Sequence, residues 1–182
     1  MEEPEKDELW KAVNLAFKIK DWERSVLFLT YFINTYQDED LMKAYQQRGW
    51  AYYKLERYDE SISDLEYAIE LEPYCKENYF FLGNTYLNKQ DFPNAIRNYR
   101  EALNLDPNHL GAIANLGTVL WRYNINPEEG ECLLLKAKRM QPYNQAIKEN
   151  MKNLYAKNKR IWEFCNIIIE QDACIYALES RN

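Results

Sequence analysis

One unit is written three times, head to tail, with a period of 34 residues. Gly49, Gly83 and Gly117 are each 34 apart, and Tyr52, Tyr86 and Leu120 keep the same step. Pro73, Pro107 and Pro142 follow at 34 and then 35, as do Ala68, Ala102 and Ala137. A fixed period of this size argues against a single wrapped core, because one such unit cannot bury its apolar face alone and is completed by its neighbour. A stack of like units without internal linkers is the expectation, and the repeat becomes both the fold and the first clue to function.

The pattern inside the unit says what is stacked. In residues 76–109, Tyr79, Leu82, Gly83 and Tyr86 recur at steps of three, one and three, which is one stripe of an α-helix. Gly83 stands where a side chain would hold a partner helix away. Asp91 is placed to cap a second helix, with Pro93 in its first turn, where a missing N–H costs nothing. A second stripe follows in Phe92, Ala95, Ile96, Tyr99, Ala102 and Leu103, and Asp106-Pro107-Asn108 ends it. Residues 42–75 repeat the scheme with Tyr45, Gly49, Tyr52, Tyr58, Ser61, Ala68 and Pro73. Residues 110–143 do so with Leu116, Gly117, Leu120, Gly130, Leu134, Ala137 and Pro142, and carry one extra residue between Asn124 and Glu131. There Asn126 is the expected cap, ahead of Pro127, Glu128 and Glu129.

This hairpin, with an aromatic and a small residue meeting at the crossing, resembles the tetratricopeptide repeat. Two departures stand out: Arg48, a charge where the family prefers leucine, and Asn126, where an aromatic is expected. Residues 8–41 read as a divergent first repeat, with Trp10, Phe17, Asp21-Trp22, Ser25 and Leu29 but no terminal proline. Residues 144–182 continue helically through Ile147, Met151 and Leu154, then Ile161, Phe164, Cys165 and Ile168, as capping helices. End repeats of a solenoid are atypical because one face meets water. The resemblance implies an all-α chain: a right-handed α-solenoid of helix–turn–helix repeats with a C-terminal helical cap.

In that family the first helix of each hairpin lines a concave groove, which implies a partner-binding set of Gln46, Trp50, Tyr53, Phe80, Phe81, Asn84, Asn88, Asn115, Trp121 and Arg122. None belongs to the hairpin's own core stripe. Large apolar rings with interspersed amides suit a peptide, the rings supplying buried area and Asn84 and Asn115 pairing with its backbone. Alternatively the C-terminal helix folds over these rings and makes them core. Co-chaperones of the family grip chaperone tails with lysines, asparagines and an arginine on successive first helices. The matching places here hold Gln46 and Trp50, then Phe81 and Glu77, then Gly111 and Asn115. Only Asn84 and Asn115 suit that task, so a chaperone-tail adaptor is not expected.

Other classes find little support. His109 is the only histidine and sits in the turn after Pro107-Asn108; no phosphate loop, glycine fingerprint or nucleophile elbow occurs. No catalytic residue, metal site or cofactor is expected. Cys75, Cys132, Cys165 and Cys174 show no Cys-x-x-Cys and no nearby histidine, and read as small buried hydrophobes in a reducing compartment. No stretch reaches the roughly 18 apolar residues of a spanning helix, and the acidic Met1-Glu2-Glu3-Pro4-Glu5 is unlike a secretory signal, so a cytoplasmic location is expected.

The formal charge of −6 is unevenly spread. Residues 1–110 are strongly acidic, whereas in 136–160 Lys136, Lys138, Arg139, Lys148, Lys152, Lys157, Lys159 and Arg160 face only Glu149. That segment is a candidate patch for an acidic partner or a solvated helix face. The chain's overall acidity argues against nucleic acid. Acidic and basic ends favour weak head-to-tail association at low salt and a monomer at physiological ionic strength. The function implied is a non-catalytic protein-interaction module, an adaptor or scaffold. A secretion chaperone or toxin-neutralising immunity protein, which fits by size and charge only, and a structural homo-oligomer are the alternatives.

Overall fold

The computed structural model describes residues 5–36, 40–145 and 147–150. Among them run eight helices and no strand: α1 (Lys6–Ile19), α2 (Trp22–Thr35), α3 (Leu41–Lys54), α4 (Tyr58–Leu71), α5 (Lys76–Asn88), α6 (Phe92–Leu105), α7 (Leu110–Arg122) and α8 (Pro127–Met140). Helical backbone resumes at Gln145. The capping helices expected beyond residue 150, with Cys165 and Cys174, lie outside the described residues. The chain divides into two compact units, residues 1–112 and 113–182.

In the first unit the helices pack in chain order, α1 on α2, α2 on α3 and so on to α5 on α6, and α3 also touches α5. This is the stacking that the period demands, each hairpin completed by the next, and the fold is that of an all-α tetratricopeptide-type solenoid. The glycines mark the crossings. A Cβ on Gly49 would stand 2.9 Å from Leu65 Cγ of α4, and one on Gly83 would stand 2.7 Å from the Tyr99 ring of α6. Around these contacts Leu65, Ala68, Ala95, Tyr99 and Ala102 are fully buried. The first hairpin adds Leu9, Val13, Leu29, Phe32 and Ile33, against which Trp10, Phe17, Tyr36 and Tyr45 pack.

The second unit holds most of α7 and all of α8, crossed in the same way. A Cβ on Gly117 would meet Gly130 O at 3.0 Å, and one on Gly130 would meet Trp121 N at 2.7 Å. Leu116, Val119, Leu120, Leu134 and Ala137 form the buried layer, joined by Ile147. Beside it Asn150 Nδ2 donates to Thr118 Oγ1 at 3.0 Å.

Local chemistry sets the turns. Asp21 accepts from Arg24 N at 3.1 Å, Asp91 from Asn94 N at 3.2 Å and Asn126 from Glu129 N at 3.2 Å, each satisfying an orphan donor of the helix it opens. Just ahead of each second helix one residue turns left-handed: Lys20 (φ 59°), Glu56 (φ 60°), Gln90 (φ 62°) and Asn124 (φ 55°). None is glycine, so three of the four turns carry the steric cost of a Cβ in this region without asparagine's tolerance for it.

The departure at position 48 has a structural cause. Arg48 forms a bidentate pair with Asp64 of α4, Nε to Oδ2 and Nη2 to Oδ1, both at 2.7 Å, and Nη1 donates to Thr30 Oγ1 of α2 at 3.2 Å. Three helices are joined where the family packs leucine. Burial opposes the guanidinium charge, but the hydrogen bonds and field of Asp64 outweigh it and raise the Arg48 pKa. The cysteine expectation is corrected in part: Cys75 is half-buried, while Cys132 is exposed, on the outer side of α8 that Gly130 and Leu134 leave to water. Among the described residues no helix is long and apolar enough to cross a membrane.

Candidate functional site

The first helices of successive hairpins meet along one face of the first unit. Trp50 of α3 stacks on Tyr53, with ring centroids 4.9 Å apart and 14° between planes, and leans on Phe81 of α5 at 4.9 Å. Phe81 continues to Phe80 at 5.7 Å, and Phe80 to His109 at 4.7 Å. A ladder of rings thus runs from α3 across α5 to the turn before α7. Trp50, Tyr53, Phe80 and Phe81 are each half-buried. Aromatic pairs at these spacings hold one another in place, so their faces are pre-oriented.

Polar side chains tie the ladder down. Gln46 Nε2 donates to Asn78 Oδ1 at 2.6 Å, and Asn78 Nδ2 donates to Ala68 O of α4 at 3.3 Å, so one buried amide links three helices. Asn88 Nδ2 donates to Tyr53 Oη at 2.8 Å. Two lysines lie on indole faces: Lys54 Nζ is 4.4 Å from the Trp50 centroid, and Lys43 Nζ is 4.4 Å from that of Trp10 on α1. These are short cation–π distances. His109 is an orienting group: Ala112 N donates to its Nδ1 at 3.1 Å, which opens α7.

Summed over the first unit, the first helices are basic and the second helices acidic, and the contrast lies in the second hairpin, where α3 carries no acid and α4 no base. The first helices α1, α3 and α5 carry Lys6, Lys11, Lys18, Lys43, Arg48, Lys54 and Lys76 against Asp7, Glu8 and Glu77. The second helices α2, α4 and α6 carry Glu23, Asp59, Glu60, Asp64, Glu66, Glu70 and Glu101 against Arg24, Arg97 and Arg100. An acidic unit therefore sets positive charge beside its aromatic rings along α3.

Of the residues singled out by sequence, Gln46, Trp50, Tyr53, Phe80, Phe81 and Asn88 are brought together on this face. Asn84 is not free for a ligand: it is only 8% exposed, and its Oδ1 accepts from Tyr99 Oη at 2.8 Å. A fully buried phenol needs an acceptor, and Asn84 supplies it, so this residue belongs to the hairpin's core. Phe80 is shared as well, its ring centroid 6.2 Å from that of Tyr99 and its ring tip 2.7 Å from where a Gly111 Cβ would be. Asn115, Trp121 and Arg122 lie in the second unit on α7, the first two half-buried and Arg122 exposed. Whether the C-terminal helices cover any of these rings concerns residues outside the described set. Lys43, Trp10 and Asn78 were missed by the implied groove set; the signal for Lys43 was that the helical lysines of α1 to α6 all fall on first helices. Among the described residues no cluster of three metal-binding side chains occurs.

The family model for the tetratricopeptide repeat matches residues 42–75 and 77–109. Heat shock protein STI1 of Saccharomyces cerevisiae is 26% identical over 113 residues, 62% of this chain and 19% of that protein. Sperm-associated antigen 1 of Rattus norvegicus is 31% identical over 127 residues, 70% of this chain and 14% of that protein. The chain thus spans less than a fifth of the length of these relatives. Among solved structures, YrrB, described as a TPR protein with an unusual peptide-binding site, superposes with a TM-score of 0.68 at 21% identity, over 79% of this chain and 73% of its own. The first TPR of Spaghetti (RPAP3), bound to HSP90 peptide SRMEEVD, gives 0.60 at 22% identity, over 64% of this chain and 90% of its own. At these identities the likeness is one of fold.

Proposed function

We propose that this chain, which belongs to the tetratricopeptide-repeat family, is a non-catalytic adaptor that holds a peptide segment of a partner protein along the first-helix face of its first unit. The observation that carries the reading is the ladder Tyr53, Trp50, Phe81 and Phe80: four half-buried rings in continuous contact across two repeats. Rings already fixed by one another lose little entropy when a ligand covers them, which is what binding hot spots require. Two structures of like fold, YrrB and the RPAP3 domain, are described with a peptide-binding site or a bound peptide, which supports the same use of the fold here. The reading does not extend to a chaperone tail, because the places that would grip its carboxylate hold Gln46, Trp50, Glu77, Phe81 and Gly111.

Partners purified on the full chain supply the test. Trp50→Ala and Phe81→Ala are expected to weaken binding by about 2 kcal/mol or more while the far-UV circular dichroism is preserved. Variants that melt earlier yet bind as tightly as the parent would make the rings core and remove the groove.

A further inference from the structure

Four cations of α1 and α3, Lys11, Lys18, Lys43 and Lys54, have no carboxylate partner among the described residues, and the two on α3 sit on tryptophan. Lys6 bridges to Asp40 at 2.5 Å, Lys76 to Asp106 at 2.6 Å, and Arg48 is spent on Asp64. Lys43 and Lys54 form no ion pair among the described residues; both are exposed, and each ammonium rests on an indole face. A flexible lysine held in this way has already lost much of its freedom, so an incoming anion meets a pre-oriented charge.

Building on the groove reading, we infer that its occupant is an acidic peptide: an extended segment whose carboxylates meet Lys43 and Lys54 while its apolar side chains lie on Trp50 and Phe81. The eleven helical steps from Lys43 to Lys54 rise about 16 Å along α3, which about five residues of extended chain span. Carboxylates some five positions apart therefore fit the pair.

Two further observations agree. Trp10 Nε1 and Gln47 Oε1, one donor and one acceptor on α1 and α3, are buried without a hydrogen-bond partner among the described residues. Unmet groups of this kind are costly, and a bound main chain offers both an acceptor and a donor. The carboxylates of α4 restrict an anionic ligand to the first-helix side, because any polyanion long enough to wrap the unit meets Asp59, Glu60, Glu66 and Glu70. That disfavours nucleic acid and favours a short acidic stretch of protein. A basic peptide would face Lys43 and Lys54 on the rings it needs.

The test is fluorescence anisotropy on the full chain with three labelled peptides. They share leucine and phenylalanine positions and carry Glu, Gln or Lys at the intervening ones. The Glu peptide is expected to bind at least about tenfold more tightly than the Gln peptide, and to weaken as salt rises. Lys43→Gln with Lys54→Gln should bring it to the level of the Gln peptide without changing the melting temperature. Equal binding of the Glu and Gln peptides, tightest binding of the Lys peptide, or a Glu affinity indifferent to the double variant overturns the inference. Tighter binding of oligothymidylate through the same two lysines overturns it in favour of nucleic acid. Trp50→Ala keeps the two readings apart. If it abolishes binding of whichever peptide binds best while charge has no effect, the groove stands and the acidic ligand falls. If binding of every peptide survives Trp50→Ala, or none binds, both fall.

Discussion

Gly83 and Tyr99 share one space: a Cβ on Gly83 would lie 2.7 Å from both Cδ1 and Cε1 of the tyrosine ring, which is itself fully buried. The glycine lets α5 and α6 close on the ring, and the ring's hydroxyl is then satisfied by Asn84 one residue along α5. Packing and hydrogen bonding are locked together at this crossing.

Gly83→Leu is expected to lower stability by about 1–3 kcal/mol or more, as overpacking does where backbone and ring cannot give. Tyr99→Phe keeps the packing but removes the hydrogen bond to Asn84 Oδ1, at a cost of about 0.5–1.5 kcal/mol. Chemical denaturation of both variants checks this, and an unchanged midpoint for Gly83→Leu would contradict the crossing geometry.

The Arg48–Asp64 pair should behave as a buried ion pair does. Asp64→Ala strands the guanidinium and is expected to cost about 3–5 kcal/mol, while the double variant Arg48→Leu with Asp64→Leu recovers most of that loss. Urea midpoints of the two variants decide it. A double variant no more stable than the single one would mean that the link to Thr30 and the neighbouring helices dominates.

At Gln90, with φ 62°, glycine is expected to raise the melting temperature and valine to lower it. The gain from Gln90→Gly should be about 0.5–1 kcal/mol, the steric relief exceeding glycine's own entropy cost. Asn124→Gly should gain less, since asparagine tolerates this region. Equal gains at the two positions would defeat the argument.

Glu131 on α8 is 4% exposed, its Oε1 has no hydrogen-bond partner among the described residues, and burial raises its pKa. A carboxyl whose folded pKa lies above its unfolded one contributes stability below the unfolded value and loses it as pH rises through the folded value. Glu131→Gln is therefore expected to raise the melting temperature at neutral pH and to give no gain near pH 4. Melts across a pH series read this out, and a neutral-pH loss would reveal a partner for the carboxylate.

Local and periodic features were legible in the sequence because they depend on neighbours in the chain. The repeating glycines, the caps at Asp91 and Asn126 and the breaks before the prolines follow from backbone geometry within a few residues, and the helices begin and end accordingly. The period alone determined that hairpins stack, because no single hairpin can bury its own stripe.

What only the tertiary structure decided is which polar and aromatic side chains meet across helices. Arg48 looked like a misplaced charge until Asp64, sixteen residues on and on another helix, met it. Asn84 looked like a ligand contact until Tyr99 claimed it, and the indole beneath Lys43 comes from Trp10 of the preceding hairpin. Helical period fixes the stripe a residue occupies. The partner on the facing helix depends on crossing angle and rotamer, which a repeat of hydrophobic positions does not encode.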